Sequence, residues 1–254
     1  MSRMNSIHRS MIAPLVAMQL FIASDYWFDF TGAPWAIHIH VLSLTAWYVF
    51  LITQPYFIST GNIEKHRTYG MIGLAIGGSV AVTGISMLPN TVGFGRFVEA
   101  NPGGIGQFEP EFFYGVAISE LILAVLVLFA LAKAILLRKS RNDHAAWLIS
   151  TAFIMLFPAI GRGVQNLFIA LNGMDEENFH LLIIALPMIV SASIIIGLTV
   201  FVAARHSMLR HPAIVLAILA NLVPPILLIF PGLVEPFAEP IKQILSLRFA
   251  GTRF

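Results

Sequence analysis

Cysteine is absent from the chain. That excludes disulfides, thiolate metal sites, iron–sulfur clusters and covalent c-type haem attachment. Charge is scarce too: 11% of the 254 residues are Asp, Glu, Lys or Arg, less than half of the roughly 25% usual in soluble domains. So few polar groups do not cover the surface of a soluble chain of this size. A soluble enzyme, a nucleic-acid module and a disordered chain are thereby excluded. The basic residues lie in short stretches between apolar runs, so no nucleic-acid partner is expected. What the chain has in abundance is apolar: 57% of residues are hydrophobic and mean hydropathy is +0.83. The lipid bilayer is its expected solvent.

A spanning helix needs about 20 mainly apolar residues. Seven runs approach or meet that length: 11–23, 35–58, 69–88, 112–137, 145–160, 179–204 and 212–230. The first is short and follows Arg3, His8 and Arg9, as in a signal peptide. A retained helix is preferred, because no small-residue cleavage motif follows and Tyr26, Trp27 and Phe28 form an interfacial belt. The fold expected is an all-α polytopic membrane bundle of about seven helices over 1–234. An amphipathic interfacial segment over 235–254 follows, from the spacing of Ile241, Ile244, Leu245 and Arg248. Gly73, Gly77 and Gly84 suit close helix packing rather than phosphate binding. Long loops are expected over 89–111, with Asn101-Pro102-Gly103-Gly104 as a turn, and over 171–178.

Because charges are few, each can be placed. With the N-terminus inside, Arg3, Arg9, Lys65, Arg67, Lys133, Arg138, Lys139, Arg141, Arg205 and Arg210 fall inside, and only Arg96 and Arg162 lie in outer connecting loops. The positive-inside rule selects this orientation, with the C-terminus outside. Asp25, Asp29, Glu99, Glu109, Glu111 and the acidic run Asp175, Glu176, Glu177 then lie outside as well.

This orientation sorts the histidines. His38, His40 and His180 fall near the outer face, His66 and His144 near the inner one. Two b-type haems, each held by imidazoles from two facing helices, would use such a pattern. The expected pairs are His40 with His180 outside and His66 with His144 inside. His40 is chosen over His38 because it is deeper, and residues i and i+2 do not share a helix face. Arg162 is a candidate for a haem propionate. Glu120 lies well inside the fourth helix, where an ionised carboxylate is expensive. It is expected to be protonated, a proton-relay element or the partner of a buried cation. The bland alternative for each histidine is an interfacial or solvated side chain, and His206 and His211 are read that way.

Two segments carry a resemblance. One runs His38-Ile-His40-Val-Leu-Ser-Leu-Thr-Ala-Trp47 to Gln54 and Glu64-Lys65-His66-Arg67-Thr68-Tyr69-Gly70. The other is Asp143-His144-Ala145-Ala146-Trp147, followed by Pro158-Ala159-Ile160-Gly161-Arg162. Together they resemble a group of uncharacterised bacterial multi-pass membrane proteins, which implies a bacterial inner membrane. The His-to-Trp-to-His pattern is also similar to diheme b-type transmembrane cytochromes. That likeness implies haem b, electron transfer and a quinol or other small redox donor. It departs from them in the fourth helix, which carries Glu120 and no histidine.

Two other functions compete. Asp25 and Asp29, spaced i,i+4, with His40 and His180 on the same side, form a candidate zinc site for a membrane hydrolase. An accessory subunit docked to a larger membrane complex is the non-catalytic alternative.

Overall fold

The computed structural model describes residues 6–174 and 177–246. Arg3, Asp175, Glu176, Arg248, Arg253 and the tail beyond 246 therefore lie outside the described residues. The elements are α1 (Ile7–Ser10), α2 (Ile12–Phe21), a π turn (Ala23–Trp27), α3 (Trp35–Ser59) and α4 (Ile63–Ala100). A short extended segment (Gly104–Gln107) leads to α5 (Pro110–Leu136), α6 (Arg141–Ile154) and α7 (Phe157–Asn172). A second π turn (His180–Ala185) opens α8 (Leu186–Arg205), and α9 (Pro212–Ala220), α10 (Val223–Ile229) and α11 (Glu235–Ser246) complete the chain. Among the described residues six stretches are long and apolar enough to cross a membrane: α3, α4, α5, α6 with α7, the second π turn with α8, and α9 with α10. The protein is an all-helical integral membrane bundle.

Local chemistry sets the boundaries. Asn62 caps α4, its side chain accepting the Lys65 N–H at 3.2 Å. Pro110 and Pro212 open α5 and α9, where the missing N–H is harmless. Gly173, at φ +84°, ends α7 in a conformation that favours glycine. The apolar run at 145–160 becomes two helices, broken at Met155-Leu156 just ahead of Pro158. The run at 212–230 breaks at Asn221-Leu222 ahead of Pro224 and Pro225.

The expected loop at 89–111 is largely helix. α4 continues through Pro89 to Ala100, and the turn begins at Asn101 as its sequence predicts. Proline removes one ladder bond, which membrane helices tolerate when neighbours pack the freed turn. Here Leu88 and Val92 do so, in a cluster with Tyr114, Ala117, Val234, Ala238 and Ile241. Residues 238 and 241 come from α11, which lies against the end of α4. Lys242 clamps it, bonding Glu99 at 2.7 Å and Glu239 at 2.6 Å, while Arg96 donates to the Lys242 carbonyl at 2.8 Å. The bonds to Glu239 and Glu99 raise the Lys242 pKa above the ordinary lysine range. On the alkaline side the clamp therefore survives through the ordinary lysine range and is lost as pH rises past the raised value. Lys242→Met is expected to weaken α11 docking by about 1 kcal/mol, read as faster amide exchange in 235–246.

Ring and hydrogen-bond contacts sort the helix ends. At one end Ser10 meets His206 (2.9 Å), His8 packs on Tyr56, His66 faces His144 and His211 bonds Asp143 (3.0 Å). At the other, Tyr26 meets His38 (3.0 Å), Arg162 meets Asp25 and Phe108 packs on Phe179. Nine cations (Arg9, Lys65, Arg67, Lys133, Arg138, Lys139, Arg141, Arg205, Arg210) belong to the first, basic end. Arg96, Arg162 and Lys242 belong to the second, acidic end.

Candidate functional site

A cavity of about 250 Å³ lies between α2, the first π turn, α3, α4, α5 and the α6–α7 junction, toward the acidic end. Its polar lining is Asp25, Tyr26, His40, Thr91, Glu120 and Arg162. Small residues on neighbouring helices set the heights. His40 lies against Gly84, while Leu131 approaches Gly77 and Tyr114 approaches Gly95. In the antiparallel pair α4·α5 this register puts Ala124 level with Gly84 and His40, and Glu120 one turn nearer the acidic end. Leu44, Val80 and Val127, one turn the other way, form an apolar floor. A smaller cavity, about 220 Å³ between α8 and α10, is lined by no ionisable side chain.

A charged pair lies at the rim. Arg162 Nε lies 3.7 Å from Asp25 Oδ2, with Arg162 64% exposed. Asn166 Nδ2 also bonds Asp25 Oδ1. The guanidinium is thus held at the rim. Deeper in, the half-buried Glu120 has no hydrogen-bond or ion-pair partner among the described residues.

The hydrogen-bond network fixes which imidazole nitrogens carry protons. His40 Nδ1 lies 2.9 Å from Thr83 Oγ1. The single Thr83 hydroxyl hydrogen goes to the backbone carbonyls of Ser79 (2.8 Å) and Val80 (3.1 Å). With that hydrogen assigned to α4, Nδ1 donates to Thr83 Oγ1 and Nε2 is left as an acceptor. His144 Nδ1 donates to the Ala134 carbonyl at 2.8 Å, which likewise frees its Nε2. His211 accepts the Ala213 N–H on Nδ1 (3.1 Å), so Nε2 carries the hydrogen toward Asp143. That contact is a hydrogen bond from the imidazole N–H to the Asp143 carboxylate.

The proposed histidine pairs fare differently. His66 and His144 come together, ring centres 6.4 Å apart and planes at 84°. His66 Nδ1 is buried with no partner. Gln54, 4% exposed, has neither its amide nitrogen nor its oxygen bonded. Trp47–Thr151 and Tyr48–Ala152 bonds fix the α3–α6 register, which brings Gln54 level with His144. His40 and His180 are placed apart: His180 is exposed and bonds the Ile229 carbonyl at 3.2 Å. His38 joins an aromatic cluster with Tyr26, Phe30 and Trp35. Asp25 is engaged by Arg162 and Asn166, while the Asp29 carbonyl closes a turn with Gly32 and Ala33. Among the described residues no three His, Asp or Glu side chains gather closely enough to hold a metal ion. The four candidate zinc ligands are therefore not assembled.

Thr83 was missed from sequence, and no pattern in Ser79-Val-Ala-Val-Thr83 marks it. Tyr26 carries only an interfacial signal in the sequence. Glu120 was singled out, but its neighbours needed the helix register. No protein-family model, curated protein or solved structure matches the chain.

Proposed function

We propose that the chain crosses the membrane seven times with its N-terminus inside, and that its cavity binds a small lipid-soluble molecule with a polar head. The observation that carries this is the convergence of His40, Glu120 and the Arg162–Asp25 pair on one cavity with an apolar floor. Ionisable groups at membrane depth mark functional sites by default, and a concave apolar pocket with few polar groups is the usual form of a small-molecule site. The seventh crossing is Ile7–Trp27, whose helical turns follow each other closely and whose ends meet His206 at the basic end and Arg162 at the acidic end. The nine-to-three distribution of cations among the described residues supports an inner basic end, as in a bacterial inner membrane. The cavity then belongs to the outer half.

Filling the cavity tests the binding role. Ala124→Phe is expected to abolish the rise in thermal midpoint that lipid-soluble ligands give the detergent-purified chain. An equal rise in both proteins would refute the site.

A second reading rests on His66 and His144. The two rings lie close together, and the His144 Nδ1 bond to Ala134 is the kind of contact that orients a ligating histidine. These two residues would hold a b-type haem, which would supply one-electron chemistry at the inner face. The outer haem is not part of this reading, because His180 is engaged elsewhere. Protein purified after haem-supplemented expression is expected to show a Soret band that His66→Ala removes. No band in the parent protein rejects this second function.

A further inference from the structure

We infer that the molecule taken by the outer cavity is a hydroxyl-headed amphiphile, an alkylated phenol or alcohol that donates hydrogen bonds, rather than an anionic or cationic one. This rests on the cavity being a ligand site.

The donor and acceptor inventory carries it. His40 presents Nε2 as a bare acceptor, because Thr83 spends its hydrogen on α4 and takes that of Nδ1. Glu120 makes no hydrogen bond and no close ion pair among the described residues, the Arg162 charge reaching it only at longer range, and it offers an acceptor oxygen whether or not it holds a proton. These two face a space floored by Leu44, Val80 and Val127. The available cation, Arg162, is tied to Asp25 at the rim and is mostly exposed. An anionic head would meet two carboxyl groups and would have to break that pair. An ammonium would lose its hydration against an apolar floor, which is costly without a full set of partners. A hydroxyl satisfies Nε2 without moving charge, and a second hydroxyl suits Glu120.

The roles divide accordingly. His40 is the acceptor that touches the ligand. Thr83 is a positioning residue: it holds the imidazole in the tautomer that keeps Nε2 bare. Thr83→Val removes that restraint and lets the proton move to Nε2, turning the acceptor into a donor.

The test is equilibrium binding to the full-length chain in detergent, with four probes of equal chain length: an alkylhydroquinone, the matching alkylquinone, a fatty acid and an alkylamine. Hydroquinone and quinone differ in hydroxyl hydrogens while keeping ring and tail. The hydroquinone is expected to bind about tenfold tighter than its quinone, because the latter leaves buried acceptors unpaired. The fatty acid and amine are expected to bind more weakly still. His40→Phe and Thr83→Val should each cut the preference for hydroquinone over quinone severalfold, with thermal midpoints confirming the fold. Equal or tighter binding of quinone, fatty acid or amine overturns the inference and leaves the cavity a ligand site. Failure of all four probes to bind overturns the ligand site itself.

Discussion

Trp47→Ala is expected to destabilise the bundle by about 3 kcal/mol or more, the range of large aromatic truncations in packed cores. Trp47 is 1% exposed, its ring stacks on Phe50 at 5.2 Å, and its Nε1 donates to Thr151 Oγ1 at 3.0 Å. It also lies against Gly77 of α4 and so joins α3, α4 and α6. In lipid the driving force for helix contact is close packing, since the tails are as apolar as the core. The loss comes mainly from the vacated volume. Trp47→Phe separates the terms: most of the ring volume stays and the hydrogen bond goes. Its cost should be about 0.6 kcal/mol, near the average for interhelical bonds in membranes. Reversible unfolding in mixed micelles measures both. An alanine variant no less stable than the phenylalanine one would contradict the packing described.

Gly163→Val is the second large effect. A Cβ at 163 would stand 2.3 Å from the Phe21 carbonyl oxygen and 2.8 Å from Phe21 Cβ. The nearest atom is backbone, so no rotamer relieves the clash and α2 must leave α7. Overpacking of this kind typically costs 1–3 kcal/mol. Phe21 and Arg162 both line the cavity, so ligand binding should fall with stability. Gly197→Ala is the control. Nothing lies within 4 Å of a Cβ there, and a helical glycine replaced by alanine gains up to about 1 kcal/mol. Loss of binding in Gly163→Val together with unchanged behaviour in Gly197→Ala would tie the first helix to the site.

The membrane class and six of the seven expected apolar runs are legible because apolar runs and scarce charge are local properties. Pro89 misled for a physical reason. Proline breaks isolated helices, whereas α4 keeps its last turns through contacts with Tyr114 and α11, which are distant in sequence. Run position groups the histidines by helix end, but their pairing depends on rotation about helix axes. His66 and His144 sit at adjoining helix starts and meet. His180 turns toward α10 instead, while His40 faces the cavity with Glu120 and Arg162. Residue spacing states which groups share a height; only the assembled register states which share a space. The Thr83 contact that fixes the His40 tautomer is a relation of this second kind.

Thiol accessibility tests the outer-facing cavity most directly, and a chain without cysteine gives it no background. Thr91→Cys places one thiol on the cavity wall, on the acidic side of Met87. In oriented membranes a small membrane-impermeant thiol reagent is predicted to label it from the outer face only, more slowly once an alkylhydroquinone is bound. Labelling from the inner face, or outer labelling at a rate the bound probe does not change, would contradict the account.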